Sequence, residues 1–157
     1  MMKKLLCATL ALCLCAGCAL AGADEGFTLW FDGEFSLDLP AGWASYPIPE
    51  AAAKAGVQYA LGDAEATRLL YVQRQRVTGI GDCDALRAAL EAREDCGKVQ
   101  ELALNGHTFA TFIMSAANVS GCATVLNGAV ITFLFTPQDD SDYIMQVAEI
   151  MGSFRAA

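Results

Sequence analysis

The stretch WFDGEFSLDLPAGW, residues 30–43, decides how the whole chain is read, because it suits either a ligand-holding loop or a sheet-building hairpin. Its Asp32-Gly33 pair favours the hairpin. Both central residues of a type I′ turn need positive φ, which Asp or Asn followed by Gly tolerates best. Beyond the turn, Phe35, Leu37 and Leu39 alternate with Glu34, Ser36 and Asp38, the pattern of a strand with one buried and one wet face. Pro40 ends that strand, Gly42 lets the backbone bend, and Trp43 can then fold back onto the core. Few polar groups converge on one point. The stretch reads as scaffold.

The same signal recurs at Asn105-Gly106 and Asn127-Gly128. The first joins VQELAL (99–104) to HTFATFIMS (107–115), and the second joins CATVL (122–126) to AVITFLFT (129–136). VQYALG (57–62) and TRLLYVQRQRV (67–77) read as two further strands. Between these groups lie a short helix in PEAAAKAG (49–56) and a longer one in DCDALRAALEARED (82–95), whose Leu86, Ala89 and Leu90 form an apolar stripe. A closing helix starts at the acids Asp139, Asp140 and Asp142, which suit a helix N-terminus. Tyr143, Val147, Ile150 and Phe154 follow at helical spacing, flanked by Ile144 and Met151. This order predicts an α+β fold: a single antiparallel β-sheet flanked by helices, including an amphipathic C-terminal helix, in one domain over residues 22–157.

The N-terminus carries an address. MMKK is basic, LLCATLALCLCAG is apolar, and CALAGA supplies small residues, so residues 1–21 read as a secretory signal peptide too short to span a membrane in the mature protein. Ala19-Leu20-Ala21 suits ordinary cleavage and release of the domain. Ala16-Gly17-Cys18 offers the alternative of a lipoprotein, with Cys18 acylated and holding the domain on the membrane. Cys15 stands where lipoprotein signals prefer an aliphatic residue, which favours release. The formal charge of −8 argues against nucleic acid and anionic lipid as partners. Arg68, Arg74 and Arg76 share one strand face and read as a solvated face rather than a patch that binds anions.

Several motifs resemble those of the PsbP/DcrB-like superfamily of exported proteins: FSLDLPAGW after an opening strand, NGHTFATF in the middle, and NGAVITFLFTPQDD with IMGSF at the close. The resemblance covers nearly all of the mature chain and implies a central antiparallel sheet flanked by helices. Members of that superfamily include photosystem accessory subunits, envelope lipoproteins and an import factor that binds a small GTPase. What they share is binding, so the resemblance implies a non-catalytic accessory module acting on a protein or cell-envelope partner.

Residue chemistry points the same way. His107, the single histidine, follows a hairpin turn and reads as an exposed residue of that hairpin. There is no nucleophile elbow, zinc-protease helix or phosphate-binding glycine loop in the sequence, so catalytic residues, a metal and a cofactor are all expected to be absent. An envelope hydrolase using paired carboxylates is the alternative. Asn118-Val119-Ser120 matches a glycosylation sequon and marks an exposed loop. Of the mature cysteines, Cys83 and Cys96 stand at opposite ends of a predicted helix, roughly 20 Å apart, too far to bridge. Any internal disulfide must therefore use Cys122, and Cys96–Cys122 is the expected pair.

Overall fold

The computed structural model describes residues 25–157. The signal peptide expected over residues 1–21, cleavage near Ala21 and acylation at Cys18 all lie outside the described residues. In chain order the elements are β1 (Phe27–Phe31), β2 (Phe35–Leu39), β3 (Ala44–Ser45), α1 (Glu50–Lys54), β4 (Val57–Gly62), β5 (Leu69–Gln75), α2 (Cys83–Glu91), β6 (Gly97–Leu104), β7 (His107–Met114), β8 (Val119–Leu126), β9 (Ala129–Thr136), α3 (Ser141–Gly152) and β10 (Arg155–Ala156). No helix among the described residues is long and apolar enough to cross a membrane.

The three hairpin turns form as their sequences require. Asp32 and Gly33, Asn105 and Gly106, and Asn127 and Gly128 all have positive φ, between 48° and 81°. The helix starts follow the acids. Asp82 accepts from the Ala85 amide to cap α2, and Asp140 accepts from the Asp142 and Tyr143 amides to cap α3.

The strands make two sheets rather than the single sheet expected. A seven-stranded sheet runs β3-β4-β5-β9-β8-β7-β6, and a three-stranded sheet runs β1-β2-β10, with antiparallel pairing throughout. The physical reason lies after β2. Pro40 removes an amide donor, Gly42 turns the chain at φ +76°, and Trp43 is buried. The first hairpin therefore leaves the plane of β3 and β4. Its second strand pairs instead with β10, a two-residue strand that follows α3.

Alternation along each strand feeds two cores. Phe31, Phe35, Leu37 and Leu39 of the small sheet meet Leu70, Val72, Ile131, Phe133 and Phe135 of the large sheet, and α3 adds Tyr143, Ile150 and Met151 on the same side. On the other face of the large sheet, Ala52 of α1 and Leu86 and Leu90 of α2 cover Tyr71, Ala110, Phe112, Ala123, Val130 and Leu134. Gly121 allows the tightest cross-strand contact. It pairs with Phe112, and a Cβ there would sit 2.1 Å from the Phe112 ring.

Polar bonds join the layers at their rims. Arg74 of β5 makes a two-pronged pair with Glu34 at 3.0 and 3.1 Å, and the Tyr59 hydroxyl donates to Asp32 at 2.7 Å. Arg68 pairs with the capping Asp140 at 2.9 Å and lies over the Tyr143 ring. Arg68 and Arg74 are thus interlayer ties, contrary to the solvated face expected of them; Arg76 is exposed. Beneath Arg68, the buried Tyr143 hydroxyl donates to the Leu69 carbonyl at 2.7 Å. The 118–120 segment is similarly secured: Asn118, at φ 54°, donates to Asp139 through its side chain and accepts from the Gln138 amide.

Replacing Ile150 by Ala should lower the unfolding free energy by about 2–5 kcal/mol in a urea titration, because the side chain is buried in the core that α3 shares with both sheets. A loss below about 0.5 kcal/mol would place α3 off the core. Gly121→Ala should cost about 1–3 kcal/mol, since the Phe112 ring must move from a packed position. Arg74 holds the Glu34 carboxyl below its usual range through their hydrogen bond, and the Tyr143 amide does the same for Asp140. A depressed folded value gives stability that is present above the unfolded value and lost as pH falls through the folded one. Unfolding titrations should therefore show stability declining below about pH 4.5, with a shallower decline in Glu34→Gln.

Candidate functional site

The residues singled out in the sequence do not converge. His107 is half-buried, its ring edge-on to Phe154 with centroids 5.4 Å apart, so it is a packing residue and not the exposed hairpin residue expected. Cys83, Cys96 and Cys122 are free thiols, and the expected Cys96–Cys122 bridge is not formed. The cause is the two-sided sheet. Cys122 points into the core shared with the small sheet, whereas Cys96 packs against the core under α2. Burial pushes the Cys122 thiol up to about 12 and raises the other two less far. Ile144, expected to flank the core, is half-exposed with its neighbour Met145, while Met151 is buried.

A surface with binding geometry lies elsewhere, on the outer face of the small sheet and its junction with α3. Residues of β1, β2 and β10 meet there in cross-strand rows. One row is Trp30, Ser36 and Arg155, and the next pairs Thr28 with Asp38. Trp30 is 53% exposed. Ser36, expected on a wet face, is instead 0% exposed, and its Oγ has no hydrogen-bond partner. Its two row neighbours are larger side chains, which accounts for its exclusion from water.

Hydrogen bonds fix the next row. Thr28 Oγ1 donates to Asp38 Oδ1 at 2.6 Å, and the Arg155 guanidinium pairs with that same oxygen. The Asp38 amide donates to Ser153 Oγ at 2.8 Å, and Ser153 in turn donates to the Ile150 carbonyl at 2.6 Å. These bonds fasten the end of α3 to β2. Between the two elements opens a groove of about 380 Å³. Phe27, Leu39, Pro40 and Ile150 supply apolar lining, and Asp38 and Glu149 supply carboxylates. Glu149 is exposed and has no ion-pair partner among the described residues. Helical spacing places Gln146, Glu149 and Ser153 together on the flank of α3 beside the core stripe.

This arrangement has features that suit docking. An aromatic ring half in water, one row along the sheet from Thr28 and Asp38, can lose water to a partner surface, and Trp and Arg are the side chains that most often dominate such interfaces. A carboxylate-pair mechanism needs two acids facing one bond. Of the two acids that line the groove, Asp38 already holds Thr28 and Arg155 through one oxygen, Oδ1.

No protein-family model matches the chain, and no curated protein matches it. Among solved structures, the chain is similar to the solution structure of cyanobacterial PsbP (CyanoP) from Synechocystis sp. PCC 6803, with a TM-score of 0.60 and 17% sequence identity. The match covers 90% of this chain and 98% of that one. At this identity the likeness is one of fold, and the fold is PsbP-like.

Thiol titration should separate the cysteines. Cys83 and Cys96 should react with an aromatic disulfide reagent in the native protein, and Cys122 only after unfolding. A Cys96–Cys122 peptide recovered from unreduced protein would contradict the two-sided placement.

Proposed function

We propose that residues 22–157 act, after export, as a non-catalytic binding or accessory module that docks on a protein partner of the cell envelope. The docking surface is the outer face of the small sheet with its adjoining groove. The observation that carries this reading is Trp30, held open to solvent at the β1 end of a row whose other members are buried or ion-paired. The PsbP-like fold supports it, since binding is what the superfamily that the sequence motifs resemble has in common. Both N-terminal routes remain compatible: cleavage near Ala21 releases the module, and acylation at Cys18 holds it near the bilayer.

Site-specific photo-crosslinking tests the face. A benzoyl-phenylalanine in place of Trp30 should give one discrete adduct in envelope preparations, and the same residue in place of the exposed Ala88 on α2 should give none. Adducts from position 88 and not from position 30 would move the docking surface to the other side of the molecule. Trp30→Ala should weaken capture of that partner by at least about tenfold, the loss typical of a truncated interface anchor, while leaving the melting temperature nearly unchanged.

A further inference from the structure

We infer that the groove between β2 and α3 receives a cationic side chain, a lysine or arginine of the protein partner. The inference rests on the docking face proposed above and adds the chemistry of what enters it. Phe27 and Pro40, both partly exposed with Leu39 buried behind them, offer an apolar wall of the kind along which the methylene stem of a long basic side chain lies. At the rim stands Glu149, a carboxylate with no ion-pair partner among the described residues. Asp38 also lines the groove, and both polar contacts to its carboxylate use Oδ1, which leaves Oδ2 for an incoming donor.

Arg155 is the cation already on this face, and it sits on the β10 side of Asp38. The chain's charge of −8 favours a cationic ligand, drawing basic segments and repelling an anionic membrane surface. Trp30, one row away on the same sheet face, adds a π surface for a neighbouring residue of the same basic segment.

The test uses the full-length chain, isotopically labelled, with blocked single amino acids as probes: the N-acetyl methylamides of lysine, arginine, norleucine and glutamate. The lysine and arginine probes should shift the amides of Thr28, Asp38 and Glu149 saturably. Norleucine has the same stem without the charge and should bind about tenfold more weakly, the worth of one charge-assisted hydrogen bond; glutamate should not bind. Glu149→Gln should weaken the lysine probe about threefold, as expected for an exposed pair, and added salt should do the same. Equal binding of norleucine and lysine would overturn the cationic assignment. So would the absence of any shift at these amides. Neither result touches the docking face itself, which the crosslink from position 30 reports independently.

Discussion

Phe154 is where the layers of this protein meet. Its ring stacks at 5.6 Å on Phe35 of the small sheet and lies edge-on to Phe109 at 5.0 Å and Phe133 at 6.2 Å of the large one. His107 closes the remaining side. The residue stands between α3 and β10, so its burial fixes where the helix ends and where the last strand begins. Remove that plug and three elements lose their common reference: the helix, the hairpin that it locks, and the terminal strand that completes the small sheet. Aromatic contacts of this kind add to simple area burial through ring geometry, which helps give one register among many alternatives.

The local features of the fold were readable because each depends on a few neighbouring residues. Asn-Gly and Asp-Gly turns need positive φ, strand alternation has period two, and the stripe through Tyr143, Val147, Ile150 and Phe154 has helical period. The division into two sheets was not readable. Alternation in EFSLDL says that Phe35, Leu37 and Leu39 are buried, but not against which surface. The strand that completes the small sheet is only Arg155 and Ala156, too short to carry a periodic signal. Ser36 shows the same gap from the other side. Its position in the pattern assigns it to solvent, and only its neighbours across β1 and β10 enclose it.

The candidate site was hidden for a related reason. Its groove joins residues 26–40 to residues 146–153, and no local spacing links the two. WFDGEFSLDLPAGW read as scaffold, and its inward residues are scaffold. Its outward residues, Trp30 and Asp38, form much of the candidate face. One strand thus serves two purposes on its two sides, which a reading based on the buried side alone passes over. The residues with chemical reputations, His107 and the three thiols, turned out to be packing elements because the sheet's two-sided core claims them.

Asn118 has a consequence for how this protein is made. Its side-chain nitrogen, the atom to which a glycan would be attached in the sequon Asn118-Val119-Ser120, is already donated to Asp139, while its oxygen receives the Gln138 amide. In a host that glycosylates nascent chains, sugar added before folding would crowd the joint between the start of β8 and the approach to α3. A bacterial host leaves that joint free to close.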